Sequence, residues 1–241
     1  MLQLQGLTKR FTGITAVNNL SFTVAQAEIF GLLGENGAGK TTTLRMLATM
    51  LTPSAGTAVF DGLDINREPE KVRARIGILF GGETGLYDRL TVAENISYFG
   101  ELNDMNRNEI KEKTNRLAQI FGMAEYLNRA AGKLSKGMRQ KVAFARSIIH
   151  NPDLMLFDEP TAGLDVSATR NVHEFILDCK KEGKTIVFSS HSMSEVEKLC
   201  DRVGIIHRGQ LVDIGTIQDF KKKYQHENLE EIFVRLVGEL K

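Results

Sequence analysis

The alternation of apolar and polar positions divides the chain into distinct textures. In residues 1–30, Leu2 and Leu4 alternate with Gln3 and Gln5, and Val17, Leu20, Phe22 and Val24 recur at a period of two or three. This spacing predicts half-buried β-strands joined by turns, with Met1–Gln5 reading as an edge strand. Glu28–Leu33 reads as a short buried strand, Phe60–Asp64 as a strand with a D-G turn, and Ile76–Phe80 as a compact strand ending in Gly81-Gly82. From about Thr91 to Asn151 the pattern turns helical. Ile110, Thr114, Leu117, Ala118 and Phe121 mark one helix face; Met138, Val142, Ala145 and Ile149 mark another at i, i+4, i+7 and i+11. Buried-strand candidates then return at Leu154–Phe157, Thr185–Phe188 and Val203–Ile206, alternating with helices, which points to a mainly parallel α/β core. In the tail, Leu229, Ile232, Phe233, Leu236, Val237 and Leu240 form an apolar stripe for docking on the chain's own core or on a partner.

Composition narrows the field. At 241 residues and 42% hydrophobic content the chain makes one large domain, or one domain with an inserted lobe. A net charge of +1 supplies no broad basic field for nucleic acid, and with no Trp and four Tyr a base-stacking platform is not expected. Cys179 and Cys200 lack metal spacing and read as buried thiols in a reducing compartment. No apolar core follows the N-terminus to make a signal peptide. No run approaches the ~18 apolar residues that span a bilayer. The expectation is a soluble, cytosolic chain that reaches a membrane only through a partner.

The most specific chemistry lies in Gly34-Glu35-Asn36-Gly37-Ala38-Gly39-Lys40-Thr41, which fits the phosphate-cradling pattern G-x-x-x-x-G-K-[ST]. A strand precedes it, and Thr42–Leu47 begins a helix. Glycines at 34, 37 and 39 let backbone N–H groups curl onto an anion, and the helix adds its positive end. Lys40 brings a point charge to the outer phosphates, and the Thr41 hydroxyl is a hard oxygen ligand for Mg²⁺.

A second constellation lies downstream. The strand Leu154–Phe157 ends in Asp158-Glu159, at the carboxyl end where α/β sheets bind ligands. By position Asp158 is assigned to the metal, and Glu159 to orienting or deprotonating the attacking water. His191 ends another core strand, after Ser189 and Ser190, within reach of a γ-phosphate. Taken alone, such a histidine is more often structural. Leu134-Ser135-Lys136-Gly137 precedes the helix carrying Met138. It reads either as a helix cap or as a second anion-binding helix end.

In this order the pieces resemble the nucleotide-binding subunit of ATP-binding-cassette (ABC) transporters, over nearly the whole chain. Gly34–Thr41 resembles Walker A, with Thr42 following. Leu134-Ser135-Lys136-Gly137-Met138-Arg139-Gln140 resembles the LSGGQ signature, with Lys136 in place of its first paired glycine. Leu154–Glu159 resembles Walker B with the catalytic glutamate, Asp165 lies in the D-loop, and His191 resembles the switch histidine. Phe11 takes the place of the aromatic residue that stacks on adenine, and Val17 joins the ATP-binding set. One departure stands out: Gly81-Gly82-Glu83 replaces the usual glutamine, which leaves Glu83 as a further candidate metal ligand.

The resemblance implies an α/β P-loop NTPase (RecA-like) core, mainly parallel, with an N-terminal antiparallel β subdomain and an inserted α-helical subdomain. Residues 1–241 then form a single domain: 1–90 and 152–215 the catalytic core with the β subdomain, 91–151 the helical subdomain and 216–241 the helical tail. It further implies an ATPase using ATP and Mg²⁺. Two copies, or one copy and a homologous ATPase, would sandwich two ATP, each held between one chain's P-loop and the other's signature. Thr84–Thr91 and the helical lobe would receive the coupling helix of a multispan membrane permease, placing the chain on the cytoplasmic face of the cell membrane.

In its short length, Gly85–Thr91 and Asn228–Phe233 the chain is similar to bacterial (ABC-2-like) exporter ATPases, and among these most similar to the NatA-type sodium-extrusion ATPases. The competing readings are a soluble ABC ATPase acting on ribosomes or DNA, and a regulatory subunit that binds ATP without hydrolysing it. The single cassette, the absence of sustained heptads and the near-neutral charge weigh against the first. The set Lys40, Asp158, Glu159 and His191 weighs against the second.

Overall fold

The computed structural model describes residues 1–80 and 85–238. The alternating N-terminal segment folds as β1 (Leu2–Phe11) and β2 (Ile14–Val24), paired antiparallel with Leu2 opposite Val24. After β3 (Ile29–Leu33) and α1 (Lys40–Leu47), the chain adds β4 (Ala55–Phe60) and β5 (Leu63–Asp64), which turn at Asp61-Gly62. The first sheet runs β2-β1-β4-β5. The N-terminal segment is therefore not an edge strand, because β4 takes the side of β1 that β2 leaves free. Alternation reports one buried face; it says nothing about whether both hydrogen-bonding edges are occupied.

The rest of the chain builds the second layer. A short α2 (Pro69–Arg73) leads into β6 (Ile76–Leu79), and the helical lobe follows with α3 (Val92–Leu102), α4 (Arg107–Ile120) and α5 (Lys136–Ile148). Next come β7 (Leu154–Asp158), α6 (Val166–Lys181), β8 (Thr185–Ser190), α7 (Met193–Leu199), β9 (Arg202–His207) and β10 (Gln210–Gly215). The tail is α8 (Ile217–Tyr224) and α9 (Leu229–Gly238). The second sheet runs β10-β9-β3-β8-β7-β6. It is parallel except for β10, which lies antiparallel to β9. Every residue of β3, β7 and β8 is buried, as expected of parallel strands covered on both faces.

Side-chain caps set where the lobe's helices begin. Thr91 and Glu94 close a reciprocal capping box on α3, Asn106 caps α4 and Ser135 caps α5. An aromatic cluster then fastens the lobe to the sheet. Phe144 of α5 lies 4.8 Å, centroid to centroid, from Phe157 of β7, and 5.3 Å from Phe121. In the tail, Leu229, Ile232, Phe233, Leu236 and Val237 are buried together with Val196, Val203, Ile205 and Phe220, so the apolar stripe docks on its own chain. Leu240 lies outside the described residues. Cys179 is buried and Cys200 half-buried. Desolvation pushes the Cys179 thiol up to about 12, and Cys200 well above the ordinary thiol value. Among the described residues no helix is long and apolar enough to cross a membrane.

Phe144 is 1% exposed and joins the helical lobe to the second sheet. Phe144→Ala is expected to cost about 3–5 kcal/mol. Equilibrium guanidinium denaturation of the two proteins measures the loss, and a shift below 1 kcal/mol, about one hydrogen bond's worth, would show that the cluster relaxes around the hole.

Candidate functional site

Leu33 ends β3 and Lys40 opens α1, so the loop Gly34–Gly39 joins a strand's carboxyl end to a helix N-terminus. Its glycines serve different needs. Gly37 and Gly39 adopt left-handed φ values of 82° and 105°. Gly34 does not; there a Cβ would come within 2.3 Å of the Ile206 carbonyl oxygen. A Cβ on Gly39 would lie 2.5 Å from the Ala16 carbonyl oxygen. The loop is thus pressed between β2 and the turn after β9, where the Gly209 N–H donates to the Ala38 carbonyl at 2.9 Å.

Glu35, Asn36 and Gly37 are exposed, Ala38 is buried, and Thr41 and Thr42 are half-buried. Val17 is fully buried beneath Gly39, so it supports the loop from below. Phe11 ends β1 with 46% of its surface exposed and the Lys9 ammonium 5.2 Å from its ring centre. That leaves an apolar face open to a flat ligand.

Lys40 is buried and donates from Nζ to the carbonyl oxygens of Gly34 (2.6 Å) and Glu35 (3.1 Å). Burial lowers its pKa, while the charges of Glu159 and Asp158 act in the opposite sense. The Thr41 hydroxyl donates to Asp158 Oδ2 at 2.8 Å, bringing together two residues 117 positions apart. The Ser189 hydroxyl donates to Asp158 Oδ1 and accepts the Glu159 backbone N–H at 3.2 Å. Glu159 itself has a left-handed φ of 49°, an unusual state for a residue with a Cβ and one that recurs where strain serves function. Its Oε1 lies 3.1 Å from His191 Nδ1. A carboxylate only accepts, so Nδ1 carries the hydrogen and Nε2 is left for another partner.

The donor set suits a phosphate-bound Mg²⁺. Thr41 and Asp158 offer hard oxygens at one point, beside a cradle that Cβ atoms would fill. Among the described residues no cluster of three or more His, Cys, Asp or Glu side chains could hold a metal alone. Mg²⁺ commonly takes one or two protein ligands and completes its shell with phosphate oxygens and water. Glu83, the further candidate ligand, lies outside the described residues, as do Gly81 and Gly82.

The signature-like segment has a different setting. Ser135 Oγ accepts the Met138 N–H at 3.3 Å, so it caps its own helix. Leu134 is buried and Met138 packs against the core. The Lys136 side chain lies over Gly163, where a Cβ would be 3.4 Å from its Cε; a Cβ on Gly137 would be 3.7 Å from the Gly163 carbonyl. Arg139 donates to Asp88 at 2.6 Å and to the Ala131 carbonyl at 2.9 Å. Gln140 donates to the Pro160 carbonyl at 3.4 Å. Asp165 caps α6 by accepting the Ala168 N–H at 2.8 Å, and Val166 beside it is 89% exposed. The start of α5 and the loop before α6 therefore form one continuous face, displaying an apolar side chain.

Sequence reading missed Ser189 as the group orienting Asp158, and missed a buried cluster of Thr161, His173, Ser190 and Glu195. One local signal existed. Ser192-Met193-Ser194-Glu195 has capping-box spacing, and Ser192 does cap α7, but the Glu195 carboxylate turns inward to these three side chains.

Comparison with known proteins agrees with this geometry. The family described as ABC transporter matches residues 17–162. The ABC transporter ATP-binding protein NatA of Bacillus subtilis is 50% identical over 238 residues, covering 97% of each chain. The Escherichia coli protein named "Probable multidrug ABC transporter ATP-binding protein YbhF" is 34% identical over 98% of this chain, which spans 42% of that relative's length. Among solved structures, an ATP-binding subunit of an ABC transporter superposes with a TM-score of 0.91 at 27% identity, covering 98% of this chain and 99% of that one.

Thr41→Val keeps the shape of the side chain and deletes the hydroxyl beside Asp158. The Mg²⁺ concentration for half-maximal ATP hydrolysis is expected to rise by about tenfold or more, the usual scale for disturbing a metal's ligand shell. A Mg²⁺ titration of turnover checks this, and an unchanged half-point would remove Thr41 from the metal site.

Proposed function

The chain is an ATP-hydrolysing member of the ABC transporter family, and on that premise we propose that two copies close around two ATP molecules to drive export through a separate multispan membrane permease. The observation that carries this reading is the convergence of Thr41, Asp158, Glu159 and His191 at the carboxyl ends of three neighbouring parallel strands.

The residues divide the work. The N–H groups of Gly34–Thr41 and the start of α1 hold the phosphates, Lys40 adds its charge, and the exposed face of Phe11 takes the adenine. Thr41 and Asp158 would hold Mg²⁺, which when bound offsets negative charge on the phosphate oxygens. Glu159 aligns a water and accepts its proton as the water oxygen bonds to the γ-phosphorus. The bond from that phosphorus to the bridging oxygen breaks, and its electron pair leaves with ADP. His191, held at Nδ1 by Glu159, presents Nε2 to the γ-phosphate and donates to it as the imidazolium, the form in which both ring nitrogens carry hydrogen.

The partner copy completes each site. The exposed start of α5 presents backbone N–H groups suited to the second ATP face, and the adjoining Val166 supplies apolar contact. ATP then favours the closed pair by binding it better than the open one, and hydrolysis removes that preference.

The permease contact is supported by the exposed aromatic side of the lobe. Tyr87 and Tyr98 pack edge to face at 5.3 Å and are 48% and 38% exposed; Leu102 is 59% exposed. Arg146 donates to the Gly85 carbonyl at 2.7 Å, and Arg139 binds Asp88, so this segment is tied to α5. Thr84, the first residue of the expected permease segment, lies outside the described residues. Binding there places the chain at the cytoplasmic face of the membrane. Sodium extrusion is the narrower form of the proposal; it rests on the NatA resemblance, since no residue of an ATPase subunit need touch the cargo.

Glu159→Gln is expected to lower kcat by about 100-fold or more, the range for losing a general base. ATP binding should persist, and ATP–Mg²⁺ should shift the variant to a dimer on size exclusion. From detergent-solubilised native membranes the tagged variant should recover a multispan protein. Undiminished hydrolysis would remove Glu159 from catalysis, and recovery of ribosomes or DNA without a membrane protein would end the transporter reading.

A further inference from the structure

We propose that Glu195 is a positioning residue for hydrolysis: its buried carboxylate fixes the two chain segments that carry Glu159 and His191. The proposal rests on the roles given to that pair and goes beyond them, because Glu195 lies outside the nucleotide-contacting set.

The geometry is that of a hub. Glu195 projects from α7 and is 6% exposed. Its Oε1 accepts the Thr161 hydroxyl at 2.8 Å and the His173 Nε2–H at 2.9 Å, and its Oε2 accepts the Ser190 hydroxyl at 2.6 Å. Thr161 lies two residues beyond Glu159. Ser190 immediately precedes His191, and its oxygen also accepts the Ser192 N–H at 3.0 Å, so the residues on both sides of the histidine are bound to the same hub. His173 anchors the assembly to α6 and is itself 7% exposed. Burial pushes the Glu195 carboxyl up, but the hydrogen bonds from His173, Ser190 and Thr161 outweigh it and hold the group below the ordinary carboxylate range.

A hub is needed because the pair cannot hold itself. The His191 side chain is 67% exposed and that of Glu159 29% exposed, and their single 3.1 Å contact bridges 32 residues of sequence. Exposed contacts of this kind are weak. A buried, fully satisfied network is rigid, and removing one member disturbs the rest. A displacement of about 1 Å at a reacting group can cost about 100-fold in rate. The local sequence would allow Glu195 to bond back to the Ser192 N–H as a capping box; instead that N–H goes to Ser190 and the carboxylate is used inside.

The test compares Glu195→Gln, His173→Gln, His173→Leu and Glu159→Gln in the full chain, measuring ATP turnover and thermal midpoint. Glu195→Gln should lower kcat by about tenfold or more with KM for ATP changed by less than about twofold, the signature of lost alignment. His173→Gln retains an N–H donor and should stay within about threefold of the parent, whereas His173→Leu should fall as far as Glu195→Gln. Ser190→Ala and Thr161→Val each remove one bond while leaving the carboxylate in place; they should lose kcat in smaller steps and serve where Glu195→Gln is unfolded. Parent-like kcat in Glu195→Gln overturns the proposal, as does a His173→Gln variant no better than His173→Leu, which would make the site a packing requirement. Full activity in Glu159→Gln would instead overturn the underlying assignment. An inactive Glu159→Gln beside an unaffected Glu195→Gln sinks the hub alone.

Discussion

The register of three parallel strands governs the chemistry of this protein. Leu33 of β3 pairs with Ser190 of β8, and Ser189 of β8 with Asp158 of β7, so the three strands end on one line. The groups of the proposed hydrolytic site are attached at or just beyond those ends: the P-loop to β3, Asp158 and Glu159 to β7, and His191 to β8. A slip of one residue in β7 would turn Asp158 to the other face of the sheet and break its bond with Thr41. Complete burial of these strands is what specifies the register, since slipped pairings would unpack apolar side chains from both layers.

Local constraints then refine what the register delivers. Gly34 and Gly39 admit backbone atoms of neighbouring segments at distances where a Cβ would collide, so the phosphate loop is shaped from outside as well as by its own turns. Glu159 departs from the extended line of β7 through its left-handed backbone, which turns its side chain toward His191 and away from Asp158's partners. Adjacent carboxylates thereby gain different surroundings. Asp158 is buried and shared between Thr41 and Ser189, while Glu159 is half-exposed and faces a histidine. Two acidic residues adjacent in sequence thus gain the different surroundings that the proposed metal-ligand and proton-acceptor roles require.

What was legible in the sequence follows from how local each feature is. The P-loop, the caps and the helix faces are written in contiguous residues, and the parallel core shows in three apolar runs. Features that depend on residues far apart were not legible. Nothing in Met1–Gln5 tells that β4 will occupy the second edge of β1. Nothing near Val17 tells that it will lie buried under Gly39. His173, Ser190 and Glu195 have no spacing that announces a cluster; three separate elements bring them together. The tail offered two docking partners, and burial against α7 and α8 selects its own chain.

The same helix serves three regions, and this gives the proposed assembly its mechanical logic. The start of α5 carries Ser135 and lies against Gly163; its middle reaches the end of β7 through Gln140 and Phe144; its last turn holds Gly85 through Arg146. Thirteen helical residues make a rod about 20 Å long. A rod held by an aromatic cluster at its centre cannot shift at one end alone, because packed cores rearrange between discrete states and do not stretch. Under the proposed dimer, closure on the partner's ATP acts on the first turn, and the expected permease segment is held both there, through Arg139 and Asp88, and at the last turn, through Arg146 and Gly85. In that proposal the movement passes to the permease segment through one rigid element, at Arg139 directly and at Arg146 along the rod, with the Phe144–Phe157 contact fixing the rod to β7.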